Sequence, residues 1–200
     1  MLINFEGIDG CGKSTQIHLL KQYLEEHGRQ VQVYREPGGT SIAEEIRSIL
    51  LDSKNNMSVV SELLLFSAAR AQLVQEKIIP ALNNGATVIL DRFYDSTTAY
   101  QGYGRSVLPI DEICVLNKMA SYGLVPEITF YLRISQKLAL ERRLKHTQDR
   151  MEMAGNEFYS RVLDGYEKII KDHSRFIVLD GAQSIKSIAN EIRTHLESKL

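Results

Sequence analysis

The chain has little with which to cross-link itself, cross a membrane or attract a polyanion by bulk charge. Only two of its 200 residues are cysteine, Cys11 and Cys114, too few for a disulfide framework. Cys11 falls inside a glycine-rich loop that a bridge would immobilise, so the pair points to free thiols, a reducing compartment and the cytoplasm. A position near a helix start suits a reactive thiol, but Cys11 reads better as small filler in a tight loop. Formal net charge is -1, which gives no global attraction to nucleic acid or to an anionic lipid surface. No run of ~18 apolar residues occurs, so no helix is expected to span a membrane. The first residues enter a strand directly, which leaves no room for a signal peptide. Internal repeats, low-complexity tracts and linkers are missing too. What remains is an ordinary apolar fraction, 44%, in a length suited to a single α/β domain over residues 1–200 with a real core.

Residues 7–14 read Gly7-Ile8-Asp9-Gly10-Cys11-Gly12-Lys13-Ser14, a full G-x-x-x-x-G-K-[ST] phosphate loop. An apolar run, Leu2-Ile3-Asn4-Phe5, precedes it and a helix-like stretch follows. That context is what phosphate binding requires: backbone N–H groups curl around the oxygens and the helix N-terminus adds a favourable dipole. Lys13 is expected to reach the outer phosphates and the Ser14 hydroxyl to ligate Mg²⁺, with Thr15 completing the triphosphate-binding run. Strand-like segments recur at 2–6, 31–35, 87–91, 127–133 and 175–179, separated by helical stretches near 14–27, 41–51, 58–80, 109–121, 135–145, 155–172 and 184–198. Gly28 is expected to close the first helix and Pro80 to end the third. Alternating β and α segments predict a five-stranded parallel sheet with helices on both faces, ligands at the carboxyl ends of its strands, and a short lid around 142–153.

A phosphate loop alone does not distinguish a switch, a motor and a kinase. The run Thr87-Val88-Ile89-Leu90-Asp91 ends an apolar strand in a carboxylate, the pattern that holds a metal-bound water beside a triphosphate. Arg92 follows it, and Arg35, Arg47, Arg70 and Arg105 lie in segments that end on the same side of the sheet. A guanidinium grips phosphate with two parallel donors, and such a set suggests a second, phosphorylated substrate. Each arginine also has a bland alternative as surface cover; Arg47 stands three residues after Glu44 and so has a helix-face partner within reach. Phe66 and Arg70 share a helix face, able to stack on a base and donate to it, or simply to face the core. In Asp95-Ser96-Thr97-Thr98-Ala99-Tyr100-Gln101-Gly102, Gln101 is able to read a base edge and Tyr100 to pack on a sugar, while Asp95 or Ser96 suits the N-cap of a short helix. Arg142, Arg143, Lys145, His146 and Arg150 form a basic segment. Since the loop tip carries Gly10 and no arginine, this segment is the candidate source of the cation that phosphoryl transfer needs.

The motifs together resemble the thymidylate kinase family of P-loop nucleoside monophosphate kinases, in its bacterial-type branch. The carriers are Phe5-Glu6-Gly7-Ile8-Asp9-Gly10, Arg35-Glu36-Pro37-Gly38-Gly39-Thr40, Leu65-Phe66-Ser67-Ala68-Ala69-Arg70, Asp91-Arg92-Phe93-Tyr94-Asp95-Ser96 through Gln101-Gly102 to Arg105, and Asp149-Arg150-Met151-Glu152. The resemblance covers nearly the whole chain. It implies a Mg²⁺-dependent ATP:dTMP phosphotransferase, a homodimer, with Lys13, Arg92 and Arg150 catalytic. It further implies Phe66 stacking on thymine, Arg70 and Gln101 reading it, Thr97 near it, Asp9 at the 3′-hydroxyl and Tyr100 under the sugar. Arg47 and Arg92 would hold the dTMP phosphate, Glu36 would stand near metal and acceptor phosphate, and Ser14 and Asp91 would serve the metal. Adenine would lie between a lid-base arginine, Arg142 or its neighbour, and Ala182-Gln183. Phe93 departs from the tyrosine or histidine frequent at its place. A kinase acting on a nucleoside or on another monophosphate and a slow nucleotide switch are the alternatives; a nucleoside kinase needs fewer acceptor-side arginines, and a switch no second base pocket.

Overall fold

In the computed structural model, residues 1–143 and 150–197 are described, except for the side chains of Arg143 and Glu152. Five strands, β1 (Leu2–Glu6), β2 (Val31–Arg35), β3 (Thr87–Asp91), β4 (Ile128–Arg133) and β5 (Phe176–Asp180), form one parallel sheet in the order β2-β3-β1-β4-β5. The chain winds first to one side of β1 and then to the other. The crevice at that reversal, beyond the carboxyl end of β1, is where such sheets bind ligands. Strand β3 divides its side chains between two apolar clusters: Ile89 packs with Ile17 and Leu20, while Val88 and Leu90 pack with Leu73, Val74 and Ile78. Alternation of this kind covers a parallel sheet on both faces.

Helix α1 (Lys13–Glu26) turns Ile17, Leu20 and Leu24 inward and ends as expected, with Gly28 at φ +75 and its N–H donating to Glu25. Helices α2 (Ser41–Leu51) and α3 (Val59–Leu73) are capped by the hydroxyls of Thr40 and Ser58. Pro80 does not stop the third helix. A π-helical turn, Val74–Ile78, intervenes, and α4 (Ile79–Asn83) restarts with proline in its first turn, where the missing N–H costs nothing. The polar stretch after β3 forms α5 (Tyr94–Thr97) and a second π-helical segment, Thr98–Gly104. Neither Asp95 nor Ser96 is its N-cap; Phe93 holds that place. Both candidates are engaged elsewhere, Asp95 by the Arg175 guanidinium at 2.6 and 2.8 Å and Ser96 by Glu6 at 2.6 Å. Helices α6 (Ile110–Ala120), α7 (Gln136–Arg143), α8 (Asn156–Asp172) and α9 (Ile185–Glu197) complete the fold. The lid expected around 142–153 falls partly outside the described residues. Among the described residues, no helix is long and apolar enough to cross a membrane.

The segment carrying Tyr100 and Gln101 is seated on α8 through a glycine on each side. A Cβ at Gly104 would stand 2.7 Å from the Phe158 ring and 2.8 Å from Val162, and one at Gly165 would stand 2.8 Å from Tyr103. Replacing a helical glycine by alanine gains about 1 kcal/mol of propensity, but overpacking a tight contact costs about 1–3 kcal/mol. Gly165→Ala is therefore expected to destabilise the protein by up to about 2 kcal/mol, read as a lowered urea midpoint at unchanged slope.

Candidate functional site

The phosphate loop joins β1 to α1 with three glycines at positive φ: Gly7 at +136, Gly10 at +85 and Gly12 at +103. Only glycine fits at Gly7, where a Cβ would lie 2.8 Å from both the Leu132 carbonyl and Cys11 Sγ. Cys11 is fully buried, as filler should be. Lys13 folds back over the loop, its Nζ donating to the Gly7 carbonyl at 3.1 Å and standing 3.9 Å from Asp91 Oδ1. Ser14 Oγ donates to Asp91 Oδ2 at 3.2 Å. A hydroxyl and a carboxylate side by side at the end of β3 are hard oxygen donors suited to Mg²⁺, which keeps most of its waters and needs few protein ligands. The loop opens onto a broad cavity lined by Asp9 to Gln16, with Arg142, Gly181, Gln183 and Ile185 on its far side. Gly7 and Ile8 lie beneath it; Gly7 supplies the carbonyl that holds Lys13, and Ile8 is buried in the core.

A second cavity adjoins the first. Its walls contain Asp9, Glu36, Arg47, Phe66, Arg70, Arg92, Thr97, Tyr100 and Gln101, which is every residue expected on the acceptor side, together with Pro37, Leu51, Phe93, Ser96 and Met151. Phe66 is half-buried, lining this space while also packing against the main core cluster. Arg70 is almost wholly buried and held from several directions, donating to Glu36 at 2.7 Å, to Thr97 at 2.9 Å and to Asn117 at 3.4 Å. Four residues, Asp9, Glu36, Arg47 and Arg92, line both cavities.

Arg92 is the hinge of that shared wall. It adopts the left-handed region at φ +74, a strained conformation for a side-chain-bearing residue that functional sites tolerate when surroundings enforce it. Its guanidinium donates to Asp9 at 2.7 Å, Ser96 at 3.1 Å and the Tyr100 hydroxyl at 3.3 Å, and lies 5.1 Å from the Tyr100 ring centroid. Below it sits Glu6, fully buried at the end of β1, which accepts from the Phe93 N–H at 2.9 Å, Ser96 at 2.6 Å, Tyr166 at 2.8 Å and Asn4 at 3.0 Å. Burial first, then the nearby Asp95 charge, pushes the Glu6 carboxyl above its ordinary range.

Not every expected cation lines a cavity. Arg142 does approach the loop, its Nη1 donating to the Gly10 carbonyl at 3.4 Å. Arg150 lines neither cavity; its Nε donates to the Leu50 carbonyl and its Nη1 to Glu62 Oε2, both at 2.7 Å. Arg105 is likewise held by Glu62 at 3.2 Å, with its guanidinium over the Phe158 ring. Arg35 pairs with Glu44, which also accepts from the Gly39 N–H at 2.8 Å, while Arg47 donates to the Pro37 carbonyl at 2.9 Å. Glu44 is thus bound chiefly to Arg35 and Gly39, with Arg47 adding a weaker electrostatic attraction. Lys145, His146 and Asp149 lie outside the described residues, as do the side chains of Arg143 and Glu152. Sequence reasoning missed Glu6 and Glu62. Each carried a signal: a lone carboxylate in a buried strand, and a glutamate four residues before Phe66 on the Phe66–Arg70 face.

A family model described as thymidylate kinase matches residues 5–192. A thymidylate kinase of Chlorobaculum tepidum is 50% identical over 209 residues, covering 99% of this chain and 97% of its own. One from Thermoanaerobacter sp. (strain X514) is 46% identical over 191 residues, covering 95% of this chain and 94% of its own. The crystal structure of thymidylate kinase from Ehrlichia chaffeensis superposes with a TM-score of 0.82 at 37% identity, covering 98% of both chains.

The shared wall also sets a pH dependence. Glu36 is buried, and this desolvation, opposed by Arg70, pushes its carboxyl up from 4.5 to about 7. Between those two values the folded protein binds the proton more tightly than the unfolded chain, so this group's contribution is full at low pH and is lost as pH rises through 7. The stability of the ligand-free protein relative to Glu36→Gln is therefore expected to fall from about pH 4.5 to about pH 7 and level off above. Urea unfolding of both proteins across that range, at constant ionic strength, measures the difference. A flat difference profile would show that folding leaves the proton affinity of Glu36 unchanged.

Proposed function

The chain belongs to the thymidylate kinase family, and on that premise we propose a division of labour for the phosphorylation of dTMP to dTDP. The loop cavity takes ATP with Mg²⁺, the second cavity takes dTMP, and the γ-phosphoryl group crosses where the two meet. The observation that carries this reading is the wall of Asp9, Glu36, Arg47 and Arg92 shared by both cavities. A transfer between two anions needs cations at their junction and a carboxylate near the metal and the sugar, and this wall has both.

Lys13 and the loop N–H groups hold the β- and γ-phosphates. Ser14 and Asp91 would hold Mg²⁺, whose charge, when bound, neutralises the triphosphate. Arg92 and Arg47 fix the acceptor phosphate in line with the donor, and Asp9 both steers Arg92 and meets the 3′-hydroxyl. Phe66 stacks on thymine, Arg70, Thr97 and Gln101 address its polar edge, and Tyr100 packs under the deoxyribose. The acceptor phosphate is already ionised, so no strong base is required. Catalysis then rests on positioning and on charges aimed at the moving group. Arg142 is the cation best supported on the donor side, since it already bonds the loop. For Arg150 to act there it would first have to leave Glu62.

The same reading includes a homodimer in the cytoplasm. Ile42 and Ile49 on α2, Val59, Val60 and Leu64 on α3, and Val115 and Met119 on α6 are exposed aliphatic side chains on neighbouring helices. Such a patch suits a second copy of the chain. Both cysteines are free thiols, in keeping with a reducing compartment. Sedimentation is expected to give a dimer that Leu64→Glu converts to monomer; a wild-type monomer at every concentration defeats this part.

A coupled assay with ATP and Mg²⁺ across dTMP, dUMP, dCMP, dGMP and thymidine tests the function itself. dTMP is expected to be the preferred acceptor, and preference for thymidine would make the protein a nucleoside kinase. Because stacking on an aromatic ring is worth about 1–3 kcal/mol per base, Phe66→Ala is expected to raise the KM for dTMP about 10- to 100-fold and leave the KM for ATP unchanged.

A further inference from the structure

Glu62 has no part in the mechanism above, yet it is buried to 1% beside the second cavity. Its Oε1 accepts from Gln101 Nε2 at 3.0 Å and from Arg105 Nε at 3.2 Å. Its Oε2 accepts from Arg150 Nη1 at 2.7 Å and from Arg105 Nη2 at 3.4 Å. Burial pushes this carboxyl upward, but the Gln101 bond and the two guanidinium groups outweigh it and hold Glu62 below the usual carboxylate range. An ionised carboxylate offers only lone pairs. Of the two ends of the Gln101 amide, only the NH₂ end is able to face it. The carbonyl end is turned the other way. Gln101 is itself buried and lines the second cavity, and among the described residues its Oε1 accepts no hydrogen bond.

We infer that Glu62 is a positioning residue for base selection: clamped by Arg105 and Arg150, it locks the Gln101 amide with its oxygen toward the acceptor base, so the cavity demands a ring N–H at that edge. Thymine and uracil carry a hydrogen on N3. Cytosine carries a lone pair there, which would meet the lone pairs of Gln101 Oε1 and leave both acceptors unpaired. A buried pairing of that kind costs about 5- to 150-fold in affinity. An amide free to turn over would present its NH₂ group to cytosine and lose the discrimination. Arg150 thereby gains a role at its observed place, as one jaw of the clamp. The inference rests on the reading of this cavity as the acceptor-base pocket.

Glu62→Gln keeps the size of the side chain but both donates and accepts, so it releases the Gln101 amide. The ratio of kcat/KM for dTMP over dCMP is expected to fall about 10-fold or more, while the dTMP:dUMP ratio, into which N3 does not enter, and the KM for ATP stay as in the wild type. Both acceptors are assayed on one preparation, so any loss of folded enzyme cancels from the ratio. A dTMP:dCMP ratio within about twofold of wild type, or an equal fall in both ratios, overturns the inference. Gln101→Leu separates the two levels. If it lowers the dTMP:dCMP ratio and Glu62→Gln does not, only the role of Glu62 fails; if it leaves the ratio unchanged, the base-pocket reading fails as well. Should Glu62→Gln not fold, the wild-type enzyme decides with a dTMP analogue bearing C–H in place of N3–H. Binding about 10-fold or more weaker than dTMP supports the oriented oxygen, and equal binding overturns it.

Discussion

The contact on which the site depends is the stack of Glu6, Ser96 and Arg92 at the carboxyl ends of β1 and β3. Glu6 is a fully buried carboxylate whose four donors come from β1 itself, from the turn after β3, from α5 and from α8. A buried charge or carboxyl is tolerable only when so satisfied, so these elements must keep one mutual arrangement. Ser96 passes that arrangement upward, since it donates to Glu6 and accepts from Arg92. Arg92 is then held with its backbone in a left-handed conformation and its guanidinium on Asp9, within the phosphate loop. The loop, the end of β3 and Tyr100 are registered to one another through a single polar column.

The arginines divide by what holds them. Arg92 and Arg47 line both cavities, Arg92 directed by Asp9, Ser96 and the Tyr100 hydroxyl and Arg47 bonded to the Pro37 carbonyl. Arg70, Arg105 and Arg150 are instead engaged by buried carboxylates, Glu36 and Glu62. Removing either carboxylate would leave a guanidinium buried without compensation, which costs far more than a surface pair. The second group therefore braces the structure around the second cavity, while the first faces the space that the two cavities share. Composition shows only a supply of cations. Their partition is decided by carboxylates that come from other elements.

That partition marks the limit of what the residues alone disclosed. The strand order of chemistry was legible because each signal was local: a glycine loop between strand and helix, a carboxylate closing the run Thr87–Asp91, an aromatic one turn from an arginine. All nine acceptor-side residues consequently came together in one cavity. What escaped was nonlocal. Pro80 reads as a stop, but the π-helical turn before it moves the proline into a fresh first turn. Asp95 and Ser96 read as caps, but Arg175, far along the chain, and Glu6, in the first strand, claim them. Arg150 reads as a lid cation, and its guanidinium is bonded to Glu62 and to the Leu50 carbonyl. In each case a tertiary partner outcompeted a local preference, and no spacing rule reports a tertiary partner.

One atom in the shared wall explains why this arrangement suits transfer better than stability. Glu36 is buried beside Arg70, but its second oxygen, Oε1, has no hydrogen-bond partner among the described residues. An unsatisfied buried acceptor costs about 1–3 kcal/mol, and a fold selected only for stability would remove it. It persists at a place that lines both cavities, next to the residues that meet donor and acceptor. The raised proton affinity of this carboxyl is the ligand-free site's partial remedy, since a proton lowers the cost of burying it. A bound cation would do the same more strongly and favour the ionised form, whereas an acceptor phosphate alone would favour the protonated form. On the proposed reading, a ligand group that satisfied Oε1 would place binding energy at the wall the two cavities share, where the phosphoryl group would cross.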